Sequence, residues 1–277
     1  MKPALAISVP DEAIARYLQT GDSDVYFSAW EGRDLFERAK RGTHELKTAL
    51  VAEVRQRAAS PAMPAEVRDL DVVAFTRAKL TPMVSGLFPE TEREAVLRMF
   101  DRSIVFLTPN NMEQIILEAH WLSTAWNLAN LYLESVDAPL LGDGAVRLVG
   151  LSEEMTCYVP MNYFTQKDRF ADFVVHEAAH VFHNCKRRTL ELPETRRREW
   201  LLDIAYHKRE TFAYACEAYS RILLLGASRA ERLRLADELA QESTPGDETV
   251  VADEYLDIVR EAAAARNGWK GILARCA

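Results

Sequence analysis

At 277 residues the chain is long enough to bury a substantial core, as one large domain or two smaller ones. With 48% apolar and 27% charged residues it is not a disordered chain, and its net charge of −8 argues against nucleic acid or an anionic membrane surface as partner. The stretch 1–10 carries one Lys and a short apolar run broken by Pro10, too little for a signal peptide or a membrane span, which predicts a cytoplasmic protein. Cys157, Cys185, Cys216 and Cys276 show no C-x-x-C pairing, as expected of reduced, buried thiols rather than a Cys-rich zinc site.

In chain order, residues 35–59 form a run of helix-favouring Ala, Leu, Glu, Lys and Arg that ends before Ser60-Pro-Ala-Met-Pro64. Further helices are predicted over 65–80, 90–100 and 112–133, the last with Asn110 and Asn111 as capping candidates. Within it, Trp121 to Asn130 has the apolar spacing of a core helix. The pattern changes at Gly142-Asp-Gly144, after which 146–151 and 155–159 bracket Ser152-Glu-Glu154 as a β-hairpin. A helix follows from about Asp168, then a basic stretch and Pro193. A continuous helix is predicted over 194–225, stopped by Gly226, and two more over 229–241 and 250–266. The organisation reads as an N-terminal helical region, 1–140, and a second region, 141–277, or one compact domain holding both.

The segment Phe173-Val-Val-His-Glu-Ala-Ala-His-Val-Phe182 carries the chemistry. Residues four apart on a helix lie one above the other, so His176 and His180 can present two imidazole nitrogens to one metal ion. Glu177, beside His176, lies too far round the helix to be a ligand but within reach of a metal-activated water. The apolar flanks suit a buried, rigid helix. His183 shares the face, yet a row from 176 to 183 spans about 10 Å at 1.5 Å per residue and cannot close on one ion, so His183 is read as packing or support.

A catalytic zinc takes three protein ligands and keeps one position open. A metzincin continuation is excluded, because His183 and Lys186 stand where its Gly and third His would be. The remaining candidates are Glu199 and Glu210, with Glu217 a third. Glu199 has Asp203 four residues on, which could brace a ligand His, but it directly follows Arg196-Arg-Arg198. Glu210 is followed by small and aromatic residues. On a continuous helix the two lie about 16 Å apart, so both cannot bind one ion.

Here the chain resembles the gluzincin metallopeptidases, whose His-Glu-x-x-His helix is completed by a Glu on a downstream helix, in several branches opening an E-x-F-A segment. Glu210-Thr-Phe-Ala213 matches that segment, although Arg209 replaces the Asn that precedes it in the N-E-G-F-A form. The resemblance covers residues 155–225. It implies an α+β, mostly helical, zincin-like core with a small sheet before the metal helix, and Zn2+ held by His176, His180 and Glu210. It further implies a peptide or protein substrate cleaved by metal-activated water, with Glu177 as general base. Tyr214, Tyr158 and Tyr163 are candidate donors to the developing oxyanion, Tyr214 being chosen from its place one turn after Glu210. The strand at 155–159 would align extended substrate by backbone pairing. A non-peptide zinc amidase, or a helical interaction protein retaining the fold, are the alternatives. The excess of three positive charges over 186–210 is read as a solvated helix face, or else a rim for an acidic partner.

Overall fold

A computed structural model describes residues 9–59, 63–142, 145, 150–153, 155–194, 198–242 and 244–277. In chain order the elements are α1 (Val9–Thr20), α2 (Leu35–Arg57), α3 (Ala65–Arg68), α4 (Val72–Leu87), α5 (Glu90–Phe100), β1 (Ile104–Leu107), α6 (Met112–Glu118) and α7 (Leu122–Ser135). They continue with β2 (Leu151–Glu153), β3 (Thr156–Pro160), α8 (Phe173–Asn184), α9 (Arg209–Leu225), α10 (Arg229–Glu242), α11 (Ala252–Ala264) and α12 (Gly268–Cys276). The chain is α+β and mostly helical, with a small sheet in the order β1-β3-β2. Among the described residues no helix is long and apolar enough to cross a membrane.

The chain divides into two units, each assembled from separated segments. The first takes the described residues of Met1–Arg68 with Phe106–Leu151 and Pro160–Asn162. The second takes Asp69–Val105, Ser152–Val159 and Tyr163–Ala277. In the first unit Leu46, Leu50 and Val54, spaced four apart on α2, are fully buried with Leu128, Leu131 and Leu133 of α7. Tyr17 donates its hydroxyl to Leu122 O, and Trp126 Nε1–H donates to Leu18 O, tying α1 to α7.

The helix predicted over 112–133 is broken here into α6 and α7. The buried ammonium of Lys47 donates to Leu117 O and Ala119 O, satisfying carbonyls that end α6 and fixing the break at 119–121. The helix predicted over 65–80 is likewise two helices, because the Asp71 carboxylate accepts from Ala74 N and starts a new one. Helix α1 and the final helix α12 lie outside the predicted set.

In the second unit α8 packs against α9 and α4, while α11 and α12 pack on α9. Every apolar side chain of α8 from Val174 to Phe182 is buried, and the Phe182 ring meets Phe88 and Phe100 edge-on. β3 forms where the second hairpin strand is expected, whereas β2 takes in Ser152 and Glu153, expected as the turn; residues 146–149 of the first expected strand lie outside the described residues. β3 is the central strand, paired on both sides, so it has no free edge for a substrate; among the described residues β2 is an edge strand.

The continuous helix predicted over 194–225 does not form. Helical propensity there loses to a tertiary demand: α8 ends with unpaired carbonyls, and the chain returns to satisfy them. Leu201 N–H donates to Cys185 O and Leu202 N–H to Phe182 O, with Lys186 and Trp200 bridged in antiparallel fashion. Buried Leu201, Leu202 and Ile204 anchor this segment, and α9 begins only at Arg209.

Candidate metal centre

His176 and His180 project from one face of α8 toward Glu210 in the first turn of α9. Their Nε2 atoms are 3.2 Å apart, and Glu210 Oε2 lies 3.7 Å from the first and 3.5 Å from the second. Ligand atoms of a tetrahedral ion with bonds of about 2.0–2.1 Å lie about 3.3 Å from one another. The triangle has the size a zinc ion requires. Among the described residues this is the one cluster of three His, Cys, Asp or Glu ligands able to converge on an ion.

The tautomers fit as well. Glu217, one further pair of turns along α9, is buried and its Oε2 lies 3.0 Å from His176 Nδ1. A carboxylate only accepts, so Nδ1 carries a proton, and Nε2, which faces Glu210 and His180, is the nitrogen left to take an ion in place of its own proton. The other Glu217 oxygen accepts from Asp172 N–H at 2.6 Å. Asp172 precedes α8, but its side chain does not cap that helix. Its Oδ1 accepts from Tyr163 Oη at 2.8 Å and its Oδ2 from Lys79 Nζ at 2.6 Å.

The electrostatics favour positive charge at this point. Burial works to lower the His176 pKa, but the Glu210 and Glu217 carboxylates override it and raise it to about 10. Glu210 is opposed by burial yet held well below the usual carboxylate range by His176 and His180. Glu177 is buried, which pushes its pKa up, while the two imidazoles and the hydroxyl of Ser152 on β2 pull the other way. A carboxyl raised by desolvation suits a group that takes and returns a proton.

Exposure falls across the cluster, from 34% for the Glu210 side chain to 12% for His180 and 5% for His176. Solvent therefore reaches the site from the Glu210 side. A structural zinc site closes with a fourth protein ligand, whereas among the described residues this cluster offers three, with Glu210 the most exposed of them.

His176, His180 and Glu210 come together as the sequence predicts, with Glu177 beside them. Glu199 does not: its side chain is 53% exposed and paired with Lys186 at 2.5 Å. Asp203 is exposed, and the brace expected of it is supplied by Glu217. Glu217, a third ligand candidate in the sequence and seven residues after Glu210 on the same helical face, does not join the triangle but holds His176 Nδ1 instead. Lys79 and Asp172 have no local signal of comparable kind. Tyr214 packs edge-on against the His176 ring, centroids 4.5 Å apart, and burial followed by Glu217 and Glu210 pushes its phenol up to about 12. Tyr163 is committed to Asp172 and so leaves the set of oxyanion donors. Tyr158 lies half-buried on β3.

His183 is buried edge-on against His180, with ring centroids 5.3 Å apart, and stands outside the triangle. Burial, His180 and Arg209 bring its pKa down to about 3. All four Cys are free and buried. The basic stretch is not a bare rim: Arg187 is buried on Glu92, Lys186 pairs with Glu199, and Lys208 pairs with Glu254. Comparison with protein-family models, curated proteins and solved structures finds no match to this chain.

Proposed function

We propose that this chain is a zinc-dependent hydrolase with a zincin-like, gluzincin-type site, cleaving a peptide bond or a chemically related amide. The observation that carries the reading is the triangle of His176 Nε2, His180 Nε2 and Glu210 Oε2, sized for one tetrahedral ion and open on the Glu210 side. The donor set of two neutral imidazoles and one carboxylate is that of a catalytic zinc with one position left for water. When bound, the ion would supply Lewis acidity, acidifying water and polarising a carbonyl.

The chain's own residues supply the rest. Glu217 keeps the His176 Nδ1 proton in place and so keeps Nε2 available as a ligand. Glu177, its pKa raised by burial, accepts the proton of the attacking water and returns it to the leaving amine. Tyr214, against the His176 ring, is the candidate hydroxyl donor to the oxyanion. An extended substrate would pair with β2, the edge strand whose Ser152 touches Glu177, rather than with the central β3.

The test is elemental analysis of purified protein together with hydrolysis of a quenched peptide library. Wild type is expected to hold about one zinc per chain and Glu210→Ala to lose it. Glu177→Gln is expected to keep the zinc and lose at least about a hundredfold in turnover. Correctly folded wild type that takes up no zinc when zinc is supplied refutes the reading.

A further inference from the structure

We infer that Asp172, clamped by Lys79, is a positioning residue for the metal centre, acting through Glu217 on His176. The inference rests on the metal-site reading above and adds an outer support to it. Asp172 is 1% exposed and reaches the site twice. Its N–H donates to Glu217 Oε1 at 2.6 Å, and its carbonyl accepts from His176 N–H at 3.0 Å in the first turn of α8. The position of this one residue therefore sets both the Glu217 carboxylate and the His176 backbone.

An Asp at the start of a helix ordinarily turns its carboxylate back onto the amides of the first turn. Here the carboxylate makes no such bond. It is drawn the other way, to the Lys79 ammonium at 2.6 Å and the Tyr163 hydroxyl at 2.8 Å. The ammonium is also 5.7 Å from the Tyr163 ring centroid and 5.8 Å from that of Phe75, which holds it in place. Lys79 thus fastens α4 to the start of α8. Without its charge, Asp172 is free to swing back into the ordinary capping position. The backbone turn that follows carries its N–H off Glu217, and Glu217 is then free to leave His176 Nδ1.

Lys79 is open to replacement without loss of core packing. It borders a groove of about 350 Å3 lined by Phe75, Pro82, Leu223 and Leu224, and its side chain keeps 22% of its exposure. Lys79→Met retains the aliphatic stem and removes the charge alone.

The experiment measures Zn2+ affinity by chelator competition, and the visible absorption of the Co2+-loaded protein, for wild type, Lys79→Met, Lys79→Arg and Asp172→Asn. Support partners of metal-binding His are worth about 10- to 100-fold in affinity, and about tenfold is expected for this more distant contact. Lys79→Met should weaken Zn2+ about tenfold and shift the Co2+ bands, and Lys79→Arg should restore most of both. Asp172→Asn should match Lys79→Met, and the double variant should lose no more than either single, since both remove one contact. Should Asp172→Asn fail to fold, the Met and Arg variants of Lys79 decide alone. Glu92→Gln, which loosens the Arg187 pair beyond the C-terminal end of α8, the end opposite Asp172, is the control for general loosening.

Wild type that binds neither Zn2+ nor Co2+ defeats the metal-site reading itself. If wild type binds and Lys79→Met binds within twofold with unchanged Co2+ bands, the metal site stands and the positioning role is overturned. It is equally overturned if Glu92→Gln weakens the metal as much as Lys79→Met does.

Discussion

Replacing Glu217 by Gln conserves shape and removes one acceptor, and its effect can be worked from the two contacts the carboxylate makes. Both partners of Glu217 are N–H donors, His176 Nδ1 at 3.0 Å and Asp172 N at 2.6 Å, and the site is buried. A carboxylate accepts from both, whereas an amide has one oxygen and one NH2. If the amide oxygen faces Asp172, the NH2 faces Nδ1. The imidazole must then shift its proton to Nε2, the atom that faces Glu210 and His180, and its ligand lone pair is lost. If the oxygen faces Nδ1, the NH2 meets the Asp172 N–H, and a buried donor is left unsatisfied at a cost of about 1–3 kcal/mol.

The first arrangement excludes the metal, and the second, which the metal requires, carries the cost of the unsatisfied donor. The expected loss of Zn2+ affinity is about 10- to 100-fold, equivalent to about 1.4–2.7 kcal/mol. Chelator competition on metal-stripped wild type and Glu217→Gln measures it, with denaturant melts of the metal-free proteins reporting the cost of the unsatisfied donor. A folded variant that binds Zn2+ within twofold of wild type would show that the Nδ1 proton is not what fixes His176, and the tautomer argument fails.

Glu199→Ala removes an exposed ion pair with Lys186 and is expected to change stability by less than about 0.5 kcal/mol, with zinc content unaltered; loss of zinc would return Glu199 to the ligand set. Glu92→Ala strips the partner from Arg187, which is 1% exposed and donates to both Glu92 oxygens. A loss of about 3–5 kcal/mol is expected from denaturant unfolding, and a loss under about 1 kcal/mol would mean that water relieves the buried guanidinium. The four thiols are all buried, and burial raises Cys185 and Cys276 to about 11. At pH 8 the native protein is expected to leave a thiol reagent essentially unconsumed while the unfolded chain consumes four equivalents; rapid stoichiometric labelling of any native Cys contradicts that packing.

What could be read from the sequence was what neighbours in the sequence decide. The candidate ligands on α8 announce themselves because a spacing of four puts two imidazoles on one face, and the apolar flanks predict the burial that is found. The α5 bounds, Glu90–Phe100, coincide with the prediction because local propensity and a preceding Pro settle them. The errors fall where a distant residue decides. The break between α6 and α7 is fixed by Lys47, some 70 residues upstream of the carbonyls it satisfies. Residues 198–205 favour a helix locally, but the Leu201 and Leu202 amides are needed at the end of α8.

The same distinction runs through the site. Glu210 could be argued from its flanks and its resemblance to a known segment, and Glu217 from periodicity, since both sit on α9. Lys79 and Asp172 are 93 positions apart and meet only in the fold. That ordering follows exposure: groups that would touch substrate lie toward the open Glu210 side, while those that hold them lie deeper, ending at Asp172. Reactive groups must be of a given type at a given spacing, which leaves a pattern in sequence. Supporting groups need only bring a charge or a donor to the right point in space, and many positions in a chain can do that.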